Sequence, residues 1–569
     1  MKYGFLIFPI LFLTAPLFAQ DTYYISQQTG SDENDGLSVG TAFASIDAAT
    51  ALLQPGDELR FVGTFTNESY DPDYEFSGNI DDPYIWHQEN TLRFNNLHGA
   101  PDDYITLRAH NDQTVLRGDG ANIFRMTNCS YLRIEDFEIY GIAEEIPLQT
   151  ALDLQFLYRE NNSTNTLYRV PPGTSDAEVG ELTLPVLDHV SRPSYTDTRG
   201  IYLSNVHHIE LIDNHVHHTG GNGFRVADCD YIDIIGNEVN DCSRKSYSGT
   251  HGLVVTNANS FDAQTGAKIR IVGNRVHHNY NEIYSWSPQK TFITPHIDEG
   301  KGISLQRNRL SDGWTHGRIL VANNLTYWNG FSGVHSNTGI RIDFINNTAY
   351  LNSYTGTIGG SMNGRNIGIS AQTGDDVRIV NNISVVDGSW DGFALSASNL
   401  TNLTIADNLI YSTTTALELD NDVTAVATGT LQAAPHFQDA DNLNFGLRAD
   451  SPAVDAGSAV LAPSDDFNGH PRDAQPDLGA LEFGSVSALF APPATERLAI
   501  APNPTENFIE VNFSETIRTV VLFTGSGRDI THQIGWERTE RGLRVDTSRL
   551  PVGVYALRVN ERAGMVVKL

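Results

Sequence analysis

A glycine and an asparagine recur through the middle of the chain at a set distance from one another, and this restricts the fold more than any other feature. Gly200, Gly223, Gly252, Gly302, Gly333, Gly368 and Gly392 each open a short apolar run, and Asn214, Asn237, Asn274, Asn324, Asn347, Asn382 and Asn408 each close another. The first set reads Gly-Ile-Tyr-Leu, Gly-Phe-Arg-Val, Gly-Leu-Val-Val; the second reads Ile-Glu-Leu-Ile-Asp-Asn, Ile-Asp-Ile-Ile-Gly-Asn. Where nothing interrupts it, the step is 14 residues from Gly200 to Asn214 and 9 from Asn214 to Gly223, a period of 23.

Each run is short, β-branched and alternating, and so reads as a strand with one face buried. A 23-residue unit cannot bury the inner face of two or three strands alone and must stack on its neighbours. Stacked coils stand about 4.8 Å apart, the spacing of hydrogen-bonded strands. The recurrent Asn suits a turn where its amide bonds the equivalent amide one coil away and where left-handed backbone angles are tolerated. The recurrent Gly suits a tight corner. The predicted fold class is all-β: a right-handed parallel β-helix, followed by a small C-terminal β-sandwich domain.

With 569 residues the chain is expected to hold more than one domain. Residues 1–19 read as a signal peptide, with Lys2, an apolar stretch over 4–13 and small residues before the cleavage point. No other apolar run is long enough to span a bilayer, so no membrane span is expected in the mature protein. The three cysteines are odd in number, and Cys129 and Cys229 hold equivalent places in Cys-Ser-Tyr-Leu-Arg-Ile and Cys-Asp-Tyr-Ile-Asp-Ile. They and Cys242 read as buried packing residues rather than a disulfide framework. A net charge of −32 argues against nucleic acid as a partner. It also means that any anionic substrate must be met by locally concentrated Arg and Lys or by a bound cation.

Residues 21–65 carry a strand, an acidic loop, a short amphipathic helix and a second strand. They resemble the start of many secreted carbohydrate-active β-helix proteins, which implies that the helix caps the open end of the solenoid. Residues 142–198 depart from the repeat, as a large excursion or an irregular pair of coils. Residues 451–483, with Ser-Pro-Ala-Val-Asp-Ala-Gly and Pro-Asp-Leu-Gly-Ala-Leu-Glu-Phe, resemble the closing segment of many bacterial β-helices, and are expected to seal the C-terminal end. The solenoid with its cap and closing segment is thus expected over 20–483, with a small-residue linker over 484–495. Residues 496–569 carry Ala-Pro-Asn-Pro-Thr, Leu-Pro-Val-Gly-Val-Tyr-Ala-Leu-Arg-Val and a final Val-Val-Lys-Leu. They resemble the C-terminal sorting domain of the type IX secretion system of Bacteroidota. The resemblance implies export across the outer membrane to the cell surface or beyond it, with the secretion machinery as a partner.

Departures from the period locate the functional face. Gly252 to Asn274 and Gly302 to Asn324 each span 22 residues, and Asn274 to Gly302 spans 28. Loops grafted on a rigid scaffold are where function sits, so a cleft is expected beside His251 and Lys301. The residues preceding each Gly form one column: Arg199, Asn222, His251, Lys301, Ser332, Ile367 and Asp391. Those two after it form another: Tyr202, Arg225, Val254, Ser304, His335, Ser370 and Ala394. Arg225, His251, Lys301 and His335 are therefore expected to converge. The insertions add Arg244, Lys245, Tyr284, Trp286, His296, Asp298, Glu299 and Trp314; aromatic rings beside charges suit a sugar-binding cleft. The pairs His207–His208, His217–His218 and His277–His278 read as a stacked polar turn, with zinc ligation as the alternative.

Gly-Gly-Asn-Gly-Phe, Ser-Gly-Thr-His-Gly-Leu, Ile-Asp-Glu-Gly-Lys-Gly-Ile and Asn-Asn-Thr-Ala-Tyr, spread over 220–350, resemble secreted right-handed β-helix proteins of the pectate-lyase superfamily. That superfamily holds lyases, hydrolases, epimerases and non-enzymatic adhesins, so the resemblance implies the fold and leaves the reaction open. Its lyases pair calcium-binding carboxylates with a basic residue. The first reading is a polysaccharide lyase cleaving a uronic-acid polymer by β-elimination. Lys301 or His251 would be the base, Tyr284 or His335 the acid, and Arg225 or Ca²⁺ on Asp298 and Glu299 would neutralise the carboxylate. Arg244, Lys245, Trp286, Trp314 and His296 are the expected substrate-binding residues. The second reading is a glycoside hydrolase, which needs two carboxyls flanking the bond; the third is a carbohydrate-binding or adhesion protein.

Overall fold

The computed structural model describes residues 20–74, 87–153, 156–161, 164–169, 194–246, 249–282, 299–352, 366–386, 392–412, 428–484, 500–501, 507–512, 520–524, 534–539, 542–550, 553–559 and 562–568. The expected signal peptide, Tyr284, Trp286, His296 and Asp298 lie outside the described residues. Contacts divide the chain into two units. The first holds 1–434, 455–467 and 471–480; the second holds 435–454, 468–470 and 481–569.

The first unit is a parallel β-helix. Long strands such as Arg199–Ile212, Phe224–Ile235, Ser332–Ile345 and Asn366–Val380 bend across two faces of the coil, and short ones such as His215–His217 and Glu238–Asn240 make the third. Successive coils pair in parallel and in register. Ile201 stands beside Phe224, Phe224 beside Leu253, Leu253 beside Ile303, Ile303 beside Val334 and Val334 beside Ile369. All six are fully buried, so like sits on like along the axis and each coil buries its neighbour's inner face. The crossover rule for parallel strands makes the winding right-handed. All three cysteines are free and buried. Among the described residues no helix is long and apolar enough to cross a membrane.

The asparagine ladder is present as expected. Asn214 Nδ2 donates to Asn237 Oδ1 at 3.0 Å, and the chain of side-chain amides continues through Asn274, Asn324, Asn347 and Asn382 to Asn408 at 2.9–3.0 Å. Each ladder Oδ1 also accepts the backbone N–H of the Asn one coil earlier, as in Asn237 N to Asn274 Oδ1 at 2.9 Å. The left-handed angle falls on the residue before the ladder Asn, at Asp213, Gly236, Gly273, Asn323, Asn346, Asn381 and Asp407. A second ladder lies five residues on. Asn279 donates to Asn329 Oδ1, and Asn329 to Asn352 Oδ1, both at 2.9 Å, with Cys242 at its head. The ladder glycines answer to close approach, not to backbone angle. A Cβ at Gly252 would stand 2.6 Å from Asn279 Nδ2, and one at Gly302 2.6 Å from Gly333 O.

Two expectations change, and one open reading is decided. Gly392 pairs with Asn366, so Ala394 stands beside Gly368, out of its expected column, and Ser396 stands beside Ser370; Asp391 lies outside the described residues. For 142–198 the described residues support the excursion reading. Their described hairpin, Phe156–Asn161 with Thr164–Arg169, pairs only within itself, and coil 122–140 stacks directly on coil 199–217. Residues 455–467 and 471–480 run along the side of the coils instead of sealing the end. The corner residues Asn323, Asn346 and Asn381 donate to Asp465 O, Asp477 O and Ser458 O at 2.6, 2.9 and 2.8 Å. At the other end the short helix Ile46–Thr50, capped by Ser45, puts Ala49 into the same apolar core.

The second unit includes an antiparallel hairpin, Phe437–Asp439 with Asn444–Leu447. Its main body is a β-sandwich. A four-stranded antiparallel sheet and a three-stranded one share a core of Ile509, Val511, Leu522, Leu543, Val545, Leu557, Val559 and Val566.

Replacing Asn274 by Ala strips Asn237 of its acceptor for both N–H and Nδ2. The expected loss is about 2–4 kcal/mol, from two buried donors left unmade, read as a lower denaturant midpoint.

Candidate functional site

The coil's outward columns bring together a buried polar cluster. Lys301 and His251 precede neighbouring ladder glycines, and the Lys301 N–H reaches His251 Nδ1 at 3.4 Å. Lys301 Nζ donates to Glu299 Oε2 at 2.7 Å, and the same oxygen is 3.8 Å from His251 Nε2. His251 Nε2 is 2.6 Å from the Gln306 amide, which also reaches Ser304 Oγ at 3.2 Å. Phe331 packs beneath the ammonium, 4.6 Å from Nζ to the ring centre, and meets the His335 ring edge-on at 6.4 Å. His335 Nδ1 is 2.7 Å from Ser370 Oγ. His251, His335 and Lys301 are 1%, 3% and 6% exposed. In such a dry site charged and polar groups act at full strength.

Burial, reinforced by the charges of Lys301 and His251, holds the His335 imidazole well below its ordinary value. It is neutral at neutral pH.

Arg225 does not join this cluster. It lies three steps back on the His335 column, with Val254 and Ser304 between. It instead extends a basic stripe in which Arg93, Arg125, Tyr202 and Arg225 follow one another on successive coils. The guanidinium groups of Arg125, Arg199 and Arg225 lie 3.9, 5.1 and 5.8 Å from the Tyr202 ring centre. Among the described residues, Arg93, Arg125 and Arg225 have no carboxylate in ion-pair range. The sequence carried a signal for this stripe, an Arg three after Asn in Asn-Thr-Leu-Arg-Phe, Asn-Ile-Phe-Arg-Met and Asn-Gly-Phe-Arg-Val. The roles of Gln306, Phe331 and Ser370 had no such signal.

Other expected site residues are placed elsewhere or otherwise engaged. Trp314 is fully buried in the apolar core, so its ring cannot stack on a ligand. Arg244 pairs with Asp241 and Glu282 and lies over the Tyr280 ring at 3.5 Å, and Lys245 pairs with Glu282. Their charges are neutralised within the corner they brace. Asp298, the partner of Glu299 in the expected calcium site, lies outside the described residues. Glu299 Oε2 accepts from the Lys301 ammonium. The histidine pairs do sit at coil corners, with left-handed angles at His208, His218 and His278 and an Nδ1–Nδ1 contact of 2.6–2.8 Å within each pair.

Residues 499–569 match the family described as the secretion system C-terminal sorting domain. The chain is thus a parallel β-helix protein with a type IX sorting tail, exported to the cell surface or secreted. No curated protein sequence matches it. Among solved structures it is similar to pectate lyase Pel9A, at 14% identity over 82% of this chain and 98% of that one, with a TM-score of 0.44. It is similar also to a rhamnogalacturonan lyase (14%, 82% and 97%, 0.37) and to a glycoside hydrolase (10%, 73% and 96%, 0.41). At these values the fold rests on the strand register described above.

His335 and His278, the latter held down to about 3 mainly by burial, have depressed folded values. Their stabilisation is complete above the ordinary imidazole value of about 6.5 and is lost as pH falls below it towards the folded values. The melting temperature is therefore expected to fall between pH 7.5 and 4.5, and His335→Gln to remove part of that slope.

Proposed function

We propose that this protein degrades an acidic polysaccharide, most specifically as a lyase acting by β-elimination on a uronic-acid polymer. The observation that carries the reading is the stripe Arg93–Arg125–Tyr202–Arg225, with its unneutralised guanidinium groups, leading to the Lys301–His251–His335 cluster on a chain of net charge −32. Strand spacing sets successive side chains of the stripe about 4.8 Å apart, comparable with one sugar unit. A polymer lying along the solenoid axis would meet about one side chain of the stripe per residue.

In β-elimination the base takes the C5 proton, the C4–O bond breaks, a C4–C5 double bond forms and the leaving oxygen gains a proton. Neutral His335, with Nδ1 engaged by Ser370, offers Nε2 as base. The Lys301 ammonium, held in place by Glu299, faces the developing negative charge at the carboxylate. The donor to the leaving oxygen falls to His251 or to Tyr284. No step needs calcium. A glycoside hydrolase is less well supported, because the described cluster offers one carboxylate, Glu299, already given to Lys301.

The test is ultraviolet absorbance of the conjugated product on a panel of uronic-acid polysaccharides, with calcium and with chelator. His335→Ala and Lys301→Ala are expected to lower kcat roughly 10²–10⁴-fold, and Arg225→Ala to raise KM with kcat little changed. New reducing ends without absorbance would move the reading to hydrolysis. Binding without either signal would leave a carbohydrate-binding protein.

A further inference from the structure

On the third face of the coil, away from this cluster, Glu138 stands beside His215 and Tyr140 beside His217 across the seam where residues 142–198 leave the solenoid. Glu138, His215 and His217 each offer one donor atom, and the three atoms lie within 4.8 Å of one another. His217 and His218 are half-buried links in a chain of contacts. Glu138 Oε1 meets His217 Nε2 at 3.4 Å, His217 Nδ1 meets His218 Nδ1 at 2.6 Å, and His218 Nε2 meets Glu144 Oε2 at 3.2 Å. Each contact needs one hydrogen between two lone-pair atoms, yet two neutral imidazoles carry only two N–H hydrogens for three contacts.

The related pair His277–His278 is the internal comparison. Its described chain has two contacts, Glu238 Oε1 to His277 Nε2 at 3.0 Å and Nδ1 to Nδ1 at 2.7 Å, and two protons satisfy it. In the first chain the contact at Glu138 is the longest of the three. If His218 gives its Nε2 proton to Glu144 and His217 gives its Nδ1 proton to His218, the lone pair of His217 Nε2 faces the Glu138 carboxylate at 3.4 Å. Two donors bound about 2.0–2.1 Å from a tetrahedral zinc stand about 3.4 Å apart. His215 supplies the third donor. Its Nε2 meets Asn240 Oδ1 at 2.8 Å, and Asn240 Nδ2 is spent on Asp241, so His215 carries its proton on Nε2 and keeps the Nδ1 lone pair. Glu144 and His218 act as the outer partners that fix the tautomer of His217.

We propose that Glu138, His215 and His217 bind one divalent transition-metal ion, with zinc the best match to two imidazoles and a carboxylate, and that the ion clips coil 122–140 to coil 199–217. The link would close a loop of 77 residues between Glu138 and His215, and so constrain the unfolded chain. The fourth position is left to water.

The test is calorimetric titration of the full chain with zinc chloride, with the melting temperature followed with zinc and with chelator, and with the visible spectrum of the cobalt form reporting the coordination geometry. One ion per chain, a chelator-reversible rise in melting temperature and a tetrahedral cobalt spectrum are expected. Glu138→Gln and His217→Gln should each weaken binding about tenfold or more and remove the rise, while His277→Gln should leave both intact. Glu138→Gln keeps the side chain's size, so an unchanged melting temperature without zinc shows that this variant is folded. Absence of stoichiometric binding, binding that survives both substitutions, or equal loss in His277→Gln would each overturn the proposal.

Discussion

The structure depends on one constraint, the exact stacking of equivalent residues in parallel register. A solenoid coil cannot bury its own inner face, so each inward side chain must meet its counterpart on the next coil. The asparagine ladders enforce this: each amide donates to the amide ahead and accepts from the backbone and side chain behind, with no donor left over. A slip of one residue would break every rung and turn the apolar row outward. The ladder glycines belong to the same constraint, since the next coil passes too close for a side chain at those corners.

The same stacking builds the site. Residues far apart in sequence but equivalent in phase become neighbours, which is how Arg93, Arg125, Tyr202 and Arg225 form a continuous stripe. Cations at strand spacing repel one another. Here the Tyr202 ring lies among the Arg125, Arg199 and Arg225 guanidinium groups, which lowers that cost, and Arg199 also pairs with Asp197.

Much of the fold was legible because the period is written in residue types that have few other uses. The Asn and Gly positions marked strands, corners and phase. The sorting tail was legible because its motifs are local. The site was less so. Phase placed Lys301 beside His251 correctly, but the columns alone put Arg225 in a cluster from which it stands three strands away. Trp314, Arg244 and Lys245 were misread for one reason: sequence near a cleft does not say whether a ring faces the core or whether a cation already has its partner.

The sequence by itself determined the repeat, the parallel stacking, the phase of the coil and the export tail, since these follow from local composition and periodicity. Tertiary structure alone decided which charges remain open and which are paired, that Glu299 holds Lys301, that His335 is buried and neutral, and that 455–467 and 471–480 run along the coils rather than across their end. Pairing and burial depend on distances between segments that the 23-residue period does not encode, because insertions such as 142–198 leave the solenoid and return without changing its register.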